Sequence, residues 1–253
     1  MADGCRRLQG KTAIVTGGAS GFGEGIVRRF AQEGAQVVIA DFNGEAAEAL
    51  AGALGEAHLA VRTDVAREAD VEALAERARE LTGCLDILVN NAGVGHTPQP
   101  MEGLSEAEFD RIFAVNCKAI YLAARHVVPV MKAQGGGAIL NVASTGGVSP
   151  RPNLTWYNAS KGWVITATRA MAIELAAAQV RVNAINPVAG ETPLLKTFMG
   201  ADTPEVRAKF LASIPLGRFS TPADMGAAAA FLCSDDASMI TGVAMEVDGG
   251  RCI

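Results

Sequence analysis

Short apolar runs alternate with longer helix-like stretches along almost the whole chain, and this alternation restricts the fold more than any other feature. The runs predict strands near residues 12–16, 36–40, 58–62, 85–89, 137–142, 179–185 and 243–247. The stretches between them predict helices near residues 22–33, 44–53, 67–81, 105–133, 156–177 and 221–233. Several runs are almost continuously hydrophobic, as parallel strands covered on both faces require. The sequence therefore predicts an α/β fold built from βαβ units.

The chain carries no linker rich in proline, glycine or serine and no internal repeat. Because α/β sheets of roughly 200 to 250 residues commonly form one unit, we predict a single domain over residues 1–253. The least regular part is 188–215, which contains Pro193, Pro204 and Pro215. A segment of this kind after the carboxyl end of a strand is expected to form a lid over a substrate site.

Charge and cysteine spacing exclude several classes of function. The formal charge of -5 and the lack of any long block of like charges argue against nucleic-acid binding. The cysteines lie far apart, without zinc or redox spacing, so we expect no metal and predict small thiols in a reducing compartment. They are Cys5, Cys84, Cys117, Cys233 and Cys252. No apolar run suits a signal segment or a membrane span, so we predict a cytoplasmic protein that does not bind membranes.

A glycine-rich turn follows the first predicted strand and leads into the first predicted helix. Gly17, Gly21 and Gly23 let the backbone approach a pyrophosphate closely, and the helix N-terminus that follows offers free N–H groups. The spacing differs from the strict G-x-G-x-x-G pattern, and a plain tight turn is an alternative interpretation. A P-loop is excluded because no Gly-Lys-Ser/Thr follows. The position of the turn favours a dinucleotide-binding loop.

Asp41 closes the second predicted strand, roughly 20 residues after the glycine turn. A carboxylate at this place can accept hydrogen bonds from an adenosine ribose and would repel a 2′-phosphate. Neither residues 17–23 nor Phe42 and Asn43 supply the arginine or lysine that NADP usually requires. The sequence therefore predicts NAD as the cofactor, with a helix N-cap as the alternative role of Asp41.

Tyr157 and Lys161 are four residues apart and so share one face of a predicted helix. A buried lysine beside a tyrosine favours the phenolate, so we expect the pKa of Tyr157 to lie below its ordinary value of about 10. Such a pair can act as a general acid/base unit. Tyrosine and lysine also occur at this spacing in solvated helices, so the pair alone does not establish catalysis.

Motifs in register along nearly the whole chain resemble those of the short-chain dehydrogenase/reductase family. They are Thr16-Gly17-x-x-x-Gly21-x-Gly23, Asp64-Val65, Asn90-Asn91-Ala92-Gly93, Asn116, Ser144, Tyr157-x-x-x-Lys161 and Pro187 with Thr192. The resemblance implies a Rossmann-type doubly wound parallel sheet of seven strands, in the order 3-2-1-4-5-6-7, with helices on both faces. It also implies a homotetramer.

The resemblance further implies a catalytic set of Asn116, Ser144, Tyr157 and Lys161. Tyr157 would exchange the alcohol proton, Lys161 would hold the nicotinamide ribose, and Ser144 would bind the substrate oxygen. Asn116 would help to hold a water relay. The implied cofactor site consists of Gly17, Ser20, Gly21, Phe22, Gly23, Asp41, Phe42, Asp64, Val65, Asn91, Ala92, Gly93, Tyr157, Lys161, Pro187, Gly190 and Thr192.

Several of these residues have plain structural alternatives. Ser144 and Asp64 are also common turn formers, and residues 90–93 also suit an ordinary turn after a strand. Two departures from the family pattern affect the cofactor site: Pro187-Val188 replaces the usual Pro-Gly, and Phe22 replaces an aliphatic residue.

These observations predict hydride transfer between NAD(H) and a hydrophobic secondary alcohol or ketone. The substrate is expected to be hydrophobic because the segments expected to wall the pocket, 94–100, 145–156 and 188–215, are mostly apolar. One alternative is a 3-oxoacyl-thioester reductase that uses NADPH. Another is a catalytically silent NAD-binding regulator. His96 and Arg151 lie in the pocket segments, where they could meet a polar or carboxylate group, but we expect solvated loop residues at both positions.

Overall fold

Seven parallel strands form one sheet, in the order β3-β2-β1-β4-β5-β6-β7, as the resemblance implied. The computed structural model describes residues 6–253, so Cys5 and the prediction for its thiol lie outside the described residues. The strands are β1 (Thr12–Thr16), β2 (Gln36–Asp41), β3 (Leu59–Arg62), β4 (Ile87–Asn90), β5 (Gly137–Val142), β6 (Val180–Pro187) and β7 (Ala244–Val247).

Helices cover both faces of the sheet. They are α1 (Gly21–Gln32), α2 (Gly44–Leu54), α3 (Glu68–Thr82), α4 (Glu106–Phe113), α5 (Ala119–Gln134), α6 (Thr155–Leu175), α7 (Pro193–Met199), α8 (Pro204–Leu211) and α9 (Pro222–Cys233). The predicted strands and helices agree with these bounds to within about two residues at most ends, because period-two and period-3.6 patterns are local properties of the sequence.

The sheet has a switch point at β1, which pairs with β2 on one side and with β4 on the other. Chain crossovers run in opposite directions from this point, and they leave a crevice at the carboxyl ends of the two strands. Every residue of β1 and β4 is buried. This double-sided burial explains why the strands consist of continuous apolar runs rather than alternating ones.

Two apolar cores lie on opposite faces of the sheet. One packs α1 and α9 around Ile26, Phe30 and Met225, and the other packs α3 and α5 around Leu74 and Leu122. The backbones of α1 and α9 are in contact where the helices cross, and no side chain fits between them at that point. This close contact fixes the direction of α1 and therefore the position of its N-terminus at the switch point.

The stretch 105–133, predicted as one helix, is divided in the structure, so this prediction was wrong. A π-helical segment, Ala114–Lys118, separates α4 from α5. A π-helical turn inserts one residue into a helix and leaves the helical periodicity on both sides intact, so the sequence pattern does not reveal it. Asn116 lies in this π-helical segment and is buried.

The 188–215 segment contains α7 and α8 and has a small apolar core of its own, formed by Val188, Leu195, Met199, Ile214 and Phe219. Within residues 6–253, no helix is long and apolar enough to cross a membrane. The same residues contain no group of three or more histidine, cysteine or acidic side chains that could hold a metal ion.

Candidate active site

The glycine turn between β1 and α1 adopts a conformation that only glycine accommodates. Gly17 and Gly21 have φ angles of 59° and 55°. A Cβ on Gly23 would lie 1.9 Å from the carbonyl oxygen of Gly17. The turn is therefore folded tightly on itself, and its backbone, not its side chains, faces the crevice of the sheet.

Residues at the end of β4 hold this turn in place. The side-chain amide of Asn91 donates to the carbonyl oxygens of Thr16 and Gly17, both at 2.9 Å. The Thr16 hydroxyl accepts from the backbone N–H groups of Asn91 and Ala92, at 3.0 and 3.1 Å. The predicted residues Asn91 and Ala92 thus lie beside the glycine turn and form one side of the crevice.

The N-terminus of α1 is open. Its N-cap residue, Ser20, makes no side-chain cap hydrogen bond. Helices α3, α6 and α7 also begin without such a bond, whereas α2, α4, α8 and α9 each begin with a side chain that accepts from the first turn. The first N–H groups of α1 and its positive dipole end are therefore left for an anion such as a pyrophosphate.

Asp41 lies at the end of β2, next to the glycine turn. One carboxylate oxygen accepts from the N–H of Ala19 at 3.0 Å, and the other accepts from the N–H of Asn43 at 2.9 Å. The N-cap of α2 is Asn43, whose side chain accepts from Ala46. Asp41 is therefore not the N-cap, which was the alternative interpretation of this residue.

Arg62 is a residue near this end of the site that the sequence analysis missed. It is the last residue of β3 and pairs in register with Asp41. Its guanidinium lies 5.8 Å from the centre of the Phe42 ring, which is 68% exposed. The strand order supplies the signal that would have found it, because the last residue of β3 must lie beside the last residue of β2.

Asp64 and Val65 follow β3 on the neighbouring side of the site. One carboxylate oxygen of Asp64 accepts from the N–H of Ala66 at 3.0 Å, so this side chain closes a local turn. Val65 lines an apolar recess together with Thr16 and Ala92. Val65 thus lies near the ends of β1 and β4, whereas Asp64 makes the turn that was its alternative interpretation.

Ser144 and Tyr157 come together at the carboxyl end of β5. Ser144 follows that strand, and its hydroxyl oxygen accepts from the N–H of Gly146 at 3.0 Å. Tyr157 lies in the first turn of α6 and is only 7% exposed. The Ser144 side chain lies close enough to the Tyr157 phenol to lower its pKa. Two hydroxyl groups therefore point into one buried site.

Burial raises the pKa of Tyr157 to about 12, and the nearby Ser144 side chain lowers it only in part. Burial also lowers the pKa of Lys161 to about 8. The expectation of a depressed Tyr157 pKa is therefore wrong for the protein without a cofactor. The physical reason is that removal from water disfavours the charged form of each side chain.

Lys161 lies between the two ends of the site. Its ammonium donates to the carbonyl oxygen of Val142 at 2.8 Å and lies 5.9 Å from the centre of the Tyr157 ring. A Cβ added to Gly93 would lie 3.4 Å from the Lys161 Nζ atom. Gly93 thus leaves space for the ammonium, which keeps N–H donors beyond the one used on Val142.

Asn116 connects the end of β4 to α6. Its side chain accepts from the N–H of Val94 at 2.9 Å and donates to the carbonyl oxygen of Val94 at 3.0 Å. It also donates to the Ser160 hydroxyl at 3.0 Å. The π segment thus aims a buried amide at the backbone beside Lys161, and all of these contacts are made within the protein.

The loop after β6 closes the site on the side of the glycine turn. Pro187 is the last residue of β6. The Phe22 ring packs at Gly190, where an added Cβ would lie 2.3 Å from the ring. Gly21 abuts the Thr192 side chain, with 3.3 Å from its Cβ position. The departure at Phe22 is thus accommodated by Gly190.

The 188–215 segment contacts the acid/base residue Tyr157. The Phe198 ring in α7 packs on the Tyr157 ring, with 4.7 Å between their centres. Trp156 turns away, since its indole N–H donates to the carbonyl of Met101. His96 is only 3% exposed, so the expectation of a solvated histidine is wrong.

Comparison with known proteins agrees with this geometry. The family model described as Enoyl-(Acyl carrier protein) reductase matches residues 17–251. The 4-formylbenzenesulfonate dehydrogenase TsaC1/TsaC2 of Comamonas testosteroni is 50% identical over 251 residues, which are 97% of this chain and 99% of the relative. The chain belongs to the short-chain dehydrogenase/reductase family. It is therefore an oxidoreductase of this family.

Two solved structures of short-chain dehydrogenases/reductases show how closely the fold agrees. The 3-ketoacyl-(acyl-carrier-protein) reductase from Brucella melitensis, complexed with NADH, is 56% identical with a TM-score of 0.93 and covers 97% of this chain and 100% of its own. A 7α-hydroxysteroid dehydrogenase complexed with NADH and 7-oxo glycochenodeoxycholic acid is 38% identical with a TM-score of 0.91, covering 97% and 96%.

We expect Gly23→Ala to destabilise the protein, because the new Cβ would overlap the carbonyl oxygen of Gly17. Backbone shifts that relieve the overlap should lower the free energy of unfolding by about 1–3 kcal/mol. Urea unfolding followed by circular dichroism measures this change.

The matched control is Gly52→Ala in α2, where an added Cβ meets nothing within 4 Å. We expect it to leave stability unchanged or to raise it by about 0.5–1 kcal/mol. A Gly23→Ala variant as stable as the wild type would contradict the packing of the turn.

Proposed function

We propose that the protein is an NAD-dependent dehydrogenase that interconverts a hydrophobic secondary alcohol and its ketone, with Tyr157 as the general acid/base. The observation that carries this proposal is the buried Tyr157 side chain, which lies with Ser144 at the carboxyl edge of the sheet. The glycine turn follows a parallel strand of the same sheet and so lies at the same edge. A proton acceptor and a dinucleotide-binding turn therefore share one crevice.

The residues at this edge fit a dinucleotide. The open N-terminus of α1 suits the pyrophosphate, and the Asp41 carboxylate suits the adenosine ribose. The remaining donors of Lys161 suit the nicotinamide ribose. When bound, NAD would supply the hydride acceptor and a positive charge on its ring. The other predicted contacts, at Phe42, Asp64, Val65, residues 90–93 and residues 187–192, belong to this proposal.

In alcohol oxidation, the Tyr157 phenolate accepts the hydroxyl proton of the substrate while hydride leaves the same carbon. Ser144 orients the substrate oxygen by hydrogen bonding, and the ammonium of Lys161 favours the phenolate electrostatically. Burial raises the Tyr157 pKa to about 12, so positive charge near the phenol would favour the phenolate, and the ring of bound NAD would supply such charge. Asn116 holds the backbone beside this site, and its part in a water relay is also proposed.

The choice of NAD over NADP rests on Asp41. Its carboxylate would face the ribose hydroxyls, and a 2′-phosphate would be repelled. Arg62 is the nearest cation on the neighbouring strand, and its guanidinium stays over Phe42. We propose that Asp41 outweighs Arg62, because its position at the end of β2 is the one that contacts the ribose in Rossmann folds.

The substrate is proposed to be apolar around the reacting carbon, since Phe198 covers Tyr157. Two relatives support this class. One is named for formylbenzenesulfonate and the other was solved with an oxo bile acid, so each name describes a ring compound with a carbonyl group. Both names also describe compounds with an acidic group.

A reductase acting on 3-oxoacyl thioesters is the second candidate. It is favoured by the 56% identity to the Brucella melitensis reductase and by the description of the matching family model. That relative was solved with NADH, whereas our alternative hypothesis used NADPH. The third hypothesis, a silent NAD-binding regulator, is disfavoured because Asn116, Ser144, Tyr157 and Lys161 are all present.

A homotetramer is also part of the proposal. Large apolar side chains are exposed on α5 and α6, where family members are expected to associate: Tyr121 is 53% exposed, Trp163 41% and Ile173 82%. Exposed apolar side chains that lie on neighbouring helices are typical of surfaces buried between subunits. The cytoplasmic location stays a prediction of the sequence.

We expect Tyr157→Phe to lower kcat at least about 100-fold while NADH binding is retained, because only the proton-transfer group is removed.

For the wild type, oxidation should accelerate as pH rises toward the pKa of Tyr157, because the phenolate is the base. Ketone reduction should slow over the same range, because it needs the phenol. Nicotinamide absorbance measures both rates, and near-normal turnover by the variant would contradict the assignment.

We expect Asp41→Ala to narrow the preference for NAD over NADP by about 10-fold, because repulsion of the 2′-phosphate is lost. Asp41→Ala should therefore raise kcat/KM for NADP. The double variant Asp41→Ala/Arg62→Gln should lose part of this increase, because the nearest guanidinium is then absent. Steady-state kinetics with both cofactors measures the ratio. Unchanged selectivity in Asp41→Ala would show that another group reads the ribose.

A substrate screen separates the candidate functions. Secondary alcohols, their ketones and acetoacetyl thioesters are each tested with both nicotinamide cofactors. We expect turnover of apolar cyclic or aryl alcohols with NAD. Turnover confined to thioesters would support the second candidate. Cofactor binding without turnover of any compound would support the regulator.

A further inference from the structure

Two arginines, Arg151 and Arg251, lie where the loop before α6, the 188–215 segment and the C-terminal tail meet. Arg251 donates to the Ser149 hydroxyl at 2.9 Å and to the Ser149 carbonyl at 3.4 Å. Arg151, two residues further on, donates to the Ser213 hydroxyl at 3.1 Å. Burial lowers the pKa of Arg151, and the positive charge of Arg251 lowers it further.

Neither guanidinium has an anionic partner within residues 6–253. Each of the ion pairs of these residues involves other side chains. Asp248, the nearest acid along the chain to Arg251, accepts from the backbone N–H groups of Gly250 and Cys252 instead. The Nε atom of Arg251 is buried and makes no hydrogen bond.

This arrangement is unfavourable unless an anion completes it. Burial is the main cause of the lowered pKa of Arg151, and both side chains are partly withdrawn from water. Like charges in such surroundings cost free energy, and buried charges in proteins are normally paired. A planar carboxylate or a sulfonate can accept several hydrogen bonds from two guanidinium forks at once.

The loop that carries Arg151 is joined to α6 next to Tyr157. The Asn158 side chain, next to Tyr157 in α6, donates to the carbonyl of Arg151 at 2.8 Å. The Arg151 guanidinium lies 4.2 Å from the centre of the Phe210 ring in α8. Phe198 in α7 covers Tyr157. The 188–215 segment therefore places one aromatic ring at the reacting group and another at the arginine.

We propose that the substrate carries a carboxylate or sulfonate group, which Arg151 and Arg251 bind while its hydroxyl or carbonyl group lies at Tyr157. The inference rests on the proposed function and names the substrate class for the same site. Its apolar part, a ring for example, would lie between the two ends and against the aromatic side chains. Arg151 and Arg251 are then specificity-determining residues.

The test compares an acid with its neutral ester at constant shape. The probes are 4-(1-hydroxyethyl)benzoate, 4-(1-hydroxyethyl)benzenesulfonate and methyl 4-(1-hydroxyethyl)benzoate, each oxidised with NAD. We expect the wild type to show kcat/KM at least about 10-fold higher for the acids, because charge-assisted hydrogen bonds favour them. This comparison needs no variant and therefore does not depend on a variant that folds.

Variants then assign the preference to the arginines. Arg151→Gln and Arg251→Gln are each expected to lower the ratio of kcat/KM for acid over ester by about 10-fold, and Arg151→Lys should restore part of it. Arg77→Gln, an exposed arginine on α3 paired with Glu80, is the control and should leave the ratio unchanged. Ratios unaffected by either substitution would overturn the inference.

Binding separates failure of the inference from failure of the proposed function. Calorimetry with 4-acetylbenzoate and its methyl ester, added to the protein with NAD, measures anion binding without turnover, because a ketone and the oxidised cofactor cannot exchange a hydride. Tighter binding of the acid, weakened in Arg151→Gln, would support the anion site even if no alcohol is oxidised. Turnover of neutral alcohols with equal binding of acid and ester would overturn the anion site and leave the dehydrogenase intact.

Discussion

The contact between the turn after β1 and the turn after β4 is the constraint on which the rest of the site depends. Gly17 meets Ala92 so closely that an added Cβ would lie 2.9 Å from its Cα atom, and Asn91 ties both turns together with two hydrogen bonds. Because β1 and β4 are neighbours across the switch point, this contact fixes the crevice between them. Thr16 and Gly23 then direct the backbone into the open N-terminus of α1.

At the Tyr157 end of the crevice, burial disfavours charge on the protein's own side chains. Tyr157 and Lys161 are both withdrawn from water, and burial moves the pKa of each toward its uncharged form. An isolated charge is unfavourable in such a site. Electrostatic interactions with a charged ligand are stronger there than in water, because the local dielectric is low. The same reasoning applies to Arg151 and Arg251, where two like charges lie together without an anion.

Local patterns predicted the elements well and failed where the backbone deviates from regular geometry. The stretch 105–133 has helical periodicity throughout, yet Asn116 lies in a π-helical segment. Its side chain accepts a hydrogen bond from Val94, which follows β4. Periodicity reports which residues are apolar and does not report a single inserted residue. The pKa of Tyr157 was mispredicted for a related reason, since its sequence neighbour Lys161 was considered and its burial was not known.

The α/β class, the strand positions, the glycine turn and the Tyr157-x-x-x-Lys161 pair can all be recognised in the amino-acid sequence, because each is a pattern within a few consecutive residues. Which distant residues meet is known only from the folded chain. Arg62 reaches Phe42 because β3 lies beside β2, and Arg251 reaches Ser149 because the C-terminal tail folds back onto the loop before α6. These pairings depend on chain packing over long separations, and no local pattern of residues encodes them.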